Sequence, residues 1–167
     1  TFVTRQISVF DPAVITIGQI SAGTTDNVIP ETALLFGTMR TLSAATRLKL
    51  HDGLPRLAQG IAAAHGASAT VEIIPGFPVT NCDGRAVALG ETVTKRLFGE
   101  DAWQTLANPI MGAEDFAYVL EKVPGAMFFL GAGENHPALH NPDYDYPDDL
   151  TAIGARVFMA VIRKALD

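Results

Sequence analysis

The sequence predicts a mixed α/β protein in two parts, an α+β half followed by an α/β half. In the first half, strand-like segments at 13–20 and 32–42 precede one long helical pattern, and a third strand-like segment follows at 67–76. In the second half, helical patterns flank a continuous apolar run at 125–133. A run of this kind, bounded by glycines, is typical of a strand buried on both faces. We expect the boundary near 75–83, where two prolines and a glycine interrupt the patterns.

The first half has the order strand, strand, helix, strand. Ser43 is suited to cap the helix, in which leucines recur at helical spacing, and Gly66 is suited to end it. Pro55 lies inside this helix and removes a backbone donor, so we expect a kink or a restart there. The order predicts a ferredoxin-like unit that lacks its first strand and helix.

The second half is expected to contain three helices. Asp83 can cap the first of them, over "GRAVALGETVTKRLFG", and "AEDFAYVLEKV" at 113–123 predicts the second. The segment from Pro147 to the end of the chain predicts the third, because proline is tolerated in a first helical turn and acidic residues follow it.

Composition excludes several classes of protein. With 48% apolar and 18% charged residues the chain should fold, and a net charge of −6 gives no general attraction to nucleic acid or anionic membranes. No apolar run reaches the length of a membrane span. Cys82 is the single cysteine, which excludes an internal disulfide framework and fits a reducing compartment such as the cytoplasm. A tolerated thiol is favoured over a nucleophile at this position.

Two histidines four residues apart, His136 and His140, raise the possibility of a metal site. In a zinc-protease helix a glutamate follows the first histidine, whereas Pro137 stands here and Pro142 follows soon after. The segment is therefore expected to be a loop, in which the pair need not share a face. From these residues alone, surface histidines in a polar loop are the favoured interpretation, because a zinc site needs three or four protein ligands.

Three longer blocks resemble a known family. "GQISAGTTDNVIPETALLFGTMRT" at 18–41, "MGAEDFAYVLEKVPGAMFFLGAG" at 111–133 and "LHNPDYDYPDD" at 139–149 are similar to signatures of the metal-dependent amidohydrolases typified by hippurate hydrolase. Aminoacylases and indole-acetyl-amino-acid hydrolases belong to the same larger family. The blocks occur in family order and cover nearly the whole chain.

The resemblance implies a two-metal catalytic domain that is interrupted by a ferredoxin-like lid, through which these enzymes dimerise. Residues 1–78 would be an incomplete lid, without its first strand and helix. Residues 79–167 would be the C-terminal part of the mixed-sheet α/β catalytic domain. A homodimer through the lid is the expected assembly.

The resemblance also implies roles for five residues of this chain. His140 matches a metal ligand, and His136 has no counterpart. Asn27 and Arg40 match residues that face the substrate, while Gly112 and Glu114 lie in a block at the wall of the active site. An arginine fork suits a carboxylate and an amide donor can steady it, so these roles are physically reasonable. Without the resemblance, Asn27 reads as a turn residue and Arg40 as an exposed strand-end charge.

The family's main ligand block, H-x-C-G-H-D, its paired glutamates and its lid histidine do not occur in this sequence. We therefore expect the C-terminal portion of an enzyme that hydrolyses the amide bond of N-acyl amino acids, with no catalytic residue of its own and no activity alone. Two divalent ions, zinc or manganese, would serve a complete active site, and this chain alone would not bind them fully. The sequence also departs from the family at Pro55, and at Tyr146 and Pro147, where phenylalanine and asparagine are usual.

Two other functions fit the residues. The first half could be a non-catalytic dimerisation or binding module, because an incomplete sheet exposes strand edges. Alternatively, "HPALH" and the neighbouring aspartates could bind a metal locally without catalysis.

Overall fold

The computed structural model describes residues 2–167, and these residues form one antiparallel sheet and six helices. In chain order the elements are α1 (Phe2–Gln6), β1 (Ala13–Ala22), β2 (Ala33–Thr41), α2 (Ala44–Ala64), α3 (Gly84–Phe98), a short 3₁₀ helix (Glu100–Ala102), α4 (Ala117–Leu120) and α5 (Asp149–Leu166). The mixed α/β class is thereby confirmed.

The chain divides into two units. The first comprises Thr1–Val79 and Asn108–Asp115, and the second comprises Thr80–Ala107 and Phe116–Asp167. The chain therefore passes from one unit to the other three times. The division differs from the predicted ranges mainly at Asn108–Asp115, which the structure groups with the first unit.

The two strands of the first unit pair in antiparallel fashion. The ladder runs from Ala13 opposite Thr41 to Ala22 opposite Ala33, with an irregularity between Ile17 and Gln19. β-Branched residues favour strands, and nearly all side chains of both strands are exposed. Both predicted strands are confirmed.

Helix α2 follows the sheet and is capped as predicted. The Ser43 side chain accepts a hydrogen bond from the Thr46 backbone N–H, which satisfies one of the unpaired donors of the first turn. At the other end Gly66 has a φ of 71°, a left-handed conformation that glycine adopts without steric cost. Pro55 lies inside the helix, which continues through it, so the predicted alternative of a restart is wrong.

A small apolar core joins α1, β1 and α2. Phe2, Ile7, Ala13 and Leu50 form its buried part, with Ile15, Met39 and Leu57 packed against them. The Phe2 ring occupies the space where a side chain at Gly53 would lie, so this glycine allows α1 to approach α2 closely.

Asp11 fastens the entry of β1 to the start of α2. Its Oδ2 atom accepts hydrogen bonds from the hydroxyl groups of Ser43 and Thr46, both at 2.6 Å. These bonds, the one from Ser43 first, hold the pKa of the Asp11 carboxyl below its usual value. A carboxyl with a lower pKa in the folded than in the unfolded state stabilises the fold above about pH 4 and loses this contribution as the pH falls.

We therefore expect the stability of the wild-type chain to fall more steeply below about pH 4 than that of Asp11→Asn. Urea unfolding between pH 3 and pH 7, followed by circular dichroism, measures the difference. Asp52→Asn is the matched control, since it removes a charge from an exposed position of α2. Equal pH dependence in the wild-type chain and Asp11→Asn would show that these bonds do not stabilise the fold.

The strand predicted at 67–76 is absent. Ala69, Val71 and Ile73 are half-buried in alternation with exposed residues, so the period of a strand is present. A strand also requires ladder hydrogen bonds with a neighbour, and the sheet contains only β1 and β2 within the described chain. Instead, the Arg47 side chain holds the end of this segment by donating to the carbonyl groups of Gly76 and Phe77, at 3.1 and 3.3 Å.

In the second unit α3 packs against α5. Both predicted helices are confirmed, and Asp83 caps α3 by accepting hydrogen bonds from the Arg85 and Ala86 backbone N–H groups. The Arg85 side chain also binds this carboxylate, and this bond, followed by the backbone bond from Arg85, lowers the pKa of Asp83 to about 2. At the far end of α3 the Arg156 guanidinium lies 4.9 Å from the centre of the Phe98 ring, a cation–π distance.

The strand predicted at 125–133 is also absent, and the helix predicted at 113–123 is reduced to α4 (Ala117–Leu120). A buried strand needs partners at both edges, whereas no strand occurs in the second unit, all of whose residues the structure describes. The Phe128 ring packs edge-on against Trp103, with 5.4 Å between ring centres, and fills the space beside Gly90.

Along the described residues, no helix is both long and apolar enough to cross a membrane.

Candidate functional site

Arg40 lies near the end of β2 and reaches a distant part of its own unit. The ladder fixes its backbone opposite Val14, and its side chain is exposed. Its Nη1 atom donates a hydrogen bond of 2.5 Å to the backbone carbonyl oxygen of Met111, 71 residues along the chain. This contact joins the block at 18–41 to the start of the block at 111–133 (the M-G-x-E-D-F block), and these are two of the three blocks on which the family resemblance depends.

Gly112 and Glu114 lie directly after Met111, in an irregular segment ahead of α4. Gly112 is exposed and Glu114 is half-buried. Because α4 begins only at Ala117, Glu114 lies ahead of the first helical turn. The structure therefore brings Arg40, Gly112 and Glu114 into one region of the first unit.

Asn27 lies in the connection between β1 and β2. It is exposed, and its amide oxygen accepts a hydrogen bond of 3.3 Å from the Thr25 hydroxyl. Within residues 2–167 its amide N–H groups have no partner, so they are available as donors.

The structure does not bring Asn27 and Arg40 together. The connection that carries Asn27 leaves the ladder at Ala22 and Ala33, whereas Arg40 lies at the opposite end. Arg40 lies seven positions after Ala33, which is about 23 Å at the usual rise of a strand. The two side chains therefore belong to opposite ends of the same sheet.

His140 belongs to the second unit, in a loop, as predicted. Its side chain is exposed, and its φ of 68° makes it the non-glycine residue with a left-handed backbone among residues 2–167. Two turns surround it: the Asn141 N–H donates to the Ala138 carbonyl at 3.0 Å, and the Asn141 side chain accepts from the Asp143 N–H at 2.9 Å. A left-handed histidine costs about 1–2 kcal/mol relative to glycine, and such strain is found preferentially at functional positions.

His136 is bound into the same loop by other contacts. Its ring packs edge-on against Tyr144 with 5.0 Å between centres, and its Nδ1 atom lies 3.1 Å from the Pro137 carbonyl oxygen. Tyr144 therefore orders His136. A loop histidine without a counterpart in the family signatures fits this structural role.

The residues of this chain do not fit a complete metal centre. Across the described part of the chain, no group of three or more histidine, cysteine, aspartate and glutamate side chains converges on a point that could hold an ion. His140 alone can supply at most one ligand, whereas a protein-bound zinc ion takes three or four.

Sequence reasoning did not identify Met111 as a residue of this region. Its contribution is a backbone carbonyl oxygen, which every residue carries, so no side-chain pattern could have revealed it. The only available signal was its position at the start of the M-G-x-E-D-F block.

Comparison with known proteins gives a consistent picture. The family model described as peptidase family M20/M25/M40 matches residues 5–164. A probable hydrolase of Synechocystis, sll0100, is 37% identical over 139 residues, covering 80% of this chain and 35% of that protein. The N-acetyldiaminopimelate deacetylase of Streptococcus pneumoniae is 35% identical over 165 residues, covering 97% of this chain and 43% of the deacetylase.

A solved structure is similar over most of the chain. YXEP of Bacillus subtilis, described as a dinuclear metal-binding peptidase of the M20 family, superposes with a TM-score of 0.73 at 34% identity. The match covers 90% of this chain and 41% of YXEP. This chain thus spans less than half the length of the relatives that it matches.

Proposed function

Because the chain belongs to peptidase family M20/M25/M40, we propose that it is the C-terminal portion of a metal-dependent hydrolase that cleaves the amide bond of N-acyl amino acids. Hippurate-like compounds and N-acetyldiaminopimelate, the substrate named for the Streptococcus pneumoniae relative, are the candidate substrates. Both types carry a free carboxylate beside the amide nitrogen.

The observation that carries this proposal is the hydrogen bond between Arg40 and the Met111 carbonyl. It joins the Arg40 guanidinium to the residue directly before Gly112, and the two blocks that it connects resemble substrate-binding parts of the family. A guanidinium presents paired donors that match a carboxylate, so Arg40 would bind the amino-acid end of the substrate.

The other residues receive narrower roles. The amide donors of Asn27 would steady a carboxylate or an oxyanion, and Gly112 and Glu114 would form the wall beside Arg40. His140 would contribute one metal ligand. The residues of this chain do not fit a two-metal centre by themselves, so the other ligands would have to come from outside it.

Asn27 and Arg40 belong to opposite ends of the sheet, and this separation favours a homodimer as the functional assembly. A small substrate held by Arg40 would not extend along the strand to Ala33, which is about 23 Å away at the usual rise, so we propose that Asn27 of the same copy does not hold that molecule. A homodimer through the first unit, which we propose on the family resemblance, would supply a second copy of each residue.

An activity assay on two polypeptides tests the proposal. The 167-residue chain and the same chain extended upstream in its natural reading frame would be given N-benzoylglycine and N-acetyldiaminopimelate with zinc or manganese. Hydrolysis by the extended form alone is the expected result. Turnover by the 167-residue chain, or by neither form with any N-acyl amino acid, would contradict the proposal.

His140→Gly separates function from stability. Glycine relieves the strain of about 1–2 kcal/mol but loses more backbone entropy on folding, so the free energy of unfolding should stay unchanged or rise by up to about 1 kcal/mol. The hydrolytic activity of the extended form should nevertheless fall at least about 100-fold, because a metal ligand is lost.

His136→Ala is the matched control in the same loop, and it should retain metal and activity. Urea unfolding, metal analysis and the rate of hydrolysis are the three measurements. Stoichiometric metal in the 167-residue chain that disappears in His136→Ala would favour local, non-catalytic metal binding instead.

The second candidate function is a non-catalytic dimerisation module. The β1–β2 sheet leaves large apolar side chains exposed, among them Ile20 at 69% and Phe36 at 56%. Exposed apolar surface of this kind marks interaction sites. Light scattering measures whether the 167-residue chain is a monomer or a dimer. A monomer at high concentration would exclude the dimerisation module. A dimer, together with an extended form that has no hydrolytic activity, would support the module over the hydrolase.

We propose a cytoplasmic location. Cys82 is the single cysteine and its thiol is free and half-buried, accepting a hydrogen bond from the Met127 N–H at 3.4 Å. A free thiol persists more readily in a reducing compartment.

A further inference from the structure

The Arg40 guanidinium is held from one side by a backbone atom of a distant segment. We propose that Met111 is a positioning residue, whose carbonyl oxygen orients this guanidinium so that its other edge can bind a substrate carboxylate through two parallel hydrogen bonds. The inference rests on the proposed function, because it assumes that the substrate carries a carboxylate.

The Arg40 side chain needs an external support. Its backbone is fixed in the β1–β2 ladder, but the side chain is exposed and has no partner within residues 2–167 other than the Met111 carbonyl. An unsupported arginine of this kind loses considerable rotamer freedom when it binds a ligand, and that loss weakens binding. The bond to Met111 removes part of this freedom in advance.

The bond leaves the useful edge of the guanidinium free. It occupies Nη1, whereas a side-on grip on a carboxylate uses Nε and Nη2. Arg85 shows this grip in the same protein: its Nε and Nη2 atoms bind the two carboxylate oxygens of Asp83, at 3.1 and 3.0 Å. Arg40 offers the same pair of donors with no carboxylate of the described chain bound to them.

The arrangement distinguishes arginine from lysine. A lysine ammonium is a point charge on a flexible stem. It cannot donate to a carbonyl and at the same time present a flat pair of donors to a carboxylate. The chemistry therefore predicts recognition of a planar carboxylate by geometry as well as by charge. For a substrate that lacks the carboxylate, loss of the contact between Arg40 and Met111 should not change the rate of hydrolysis.

The first test uses the 167-residue chain and needs no activity. Selective NMR of arginine side chains should show the Nη protons of Arg40 exchanging with water about fivefold more slowly than those of Arg163, since one is held by a carbonyl. Arg163 is the internal control, an exposed residue in the last turn of α5. Equal exchange at Arg40 and Arg163 would overturn the inference.

The second test weakens the acceptor itself. Replacing the amide between Met111 and Gly112 by an ester, through incorporation of glycolate at position 112, makes the Met111 carbonyl a poorer acceptor without changing a side chain. The Nη protons of Arg40 should then exchange with water faster than in the unmodified chain. In the extended enzyme, KM for N-benzoylglycine should rise about fivefold with kcat nearly unchanged, and hydrolysis of N-methylbenzamide, which lacks the carboxylate, should not change. The same ester at Gly131, in an open loop of the second unit, is the control.

Arg40→Lys gives an independent measurement should the ester variant fail to fold. Its KM for N-benzoylglycine should rise at least about tenfold, close to the effect of Arg40→Met. Retention of the wild-type KM by Arg40→Lys, or an equal change with both substrates, would overturn the inference.

An extended enzyme inactive on every N-acyl amino acid would defeat the proposed function, while proton exchange at Arg40 would still decide whether Met111 holds it.

Discussion

Replacing Leu50 by alanine should lower the free energy of unfolding of the first unit by about 2–5 kcal/mol. Leu50 lies on α2 with none of its surface exposed, and it packs in the core with Phe2, Ile7 and Ala13. The substitution removes apolar contacts and leaves a cavity that the surrounding elements can fill only in part. A loss of this size is a large fraction of the stability of an ordinary domain.

Leu48→Ala is the matched control, because Leu48 lies on the same helix but is 63% exposed. Its effect should stay within about 0.5 kcal/mol, as is usual for surface positions. Urea unfolding followed by circular dichroism measures both variants. Similar losses in the two would mean that α2 does not pack on this core in solution.

Replacing Gly37 by alanine should destabilise the β1–β2 sheet by about 3 kcal/mol, the upper part of the range for overpacking. A Cβ atom at this position would meet the backbone carbonyl oxygen of Thr16 and the end of the Ile17 side chain. Backbone atoms in a ladder cannot move aside as a flexible side chain does. The expected result is a lower unfolding midpoint and weaker protection of β1 and β2 amides from hydrogen exchange.

Gly18→Ala serves as the control on the paired strand. No atom lies within 4 Å of a Cβ built at Gly18, so its effect should stay within about 0.5 kcal/mol. If Gly37→Ala were as mild as Gly18→Ala, the register of the two strands would have to differ from the one described here.

Local sequence signals predicted the helices and strands that depend on local interactions. Ser43 and Asp83 cap α2 and α3 as their residue types indicate, and the β1–β2 pair follows from adjacent alternating segments. The strands at 67–76 and 125–133 failed for one common reason. An apolar or alternating pattern shows that a segment can form a strand, but a strand forms only where a partner supplies the ladder bonds.

The sequence predicted which segments contribute to the candidate site, but not how these segments are arranged in space. The resemblance identified the segments of Asn27, Arg40 and Gly112, but it did not show that the first two lie at opposite ends of a sheet. The left-handed backbone of His140 was not predicted either, because histidine, although enriched among non-glycine residues with a positive φ, adopts it at only a small minority of positions. Contacts made by main-chain atoms, such as that of Met111, are outside the reach of side-chain patterns.

The threefold passage of the chain between its units has a practical consequence for dissection by truncation. A polypeptide that ends at Val79 would keep β1, β2 and α2 but would lack Asn108–Asp115, and with it the acceptor for Arg40. No single cut can release both units intact. Experiments on the separate halves would therefore require the eight-residue insert to be grafted back.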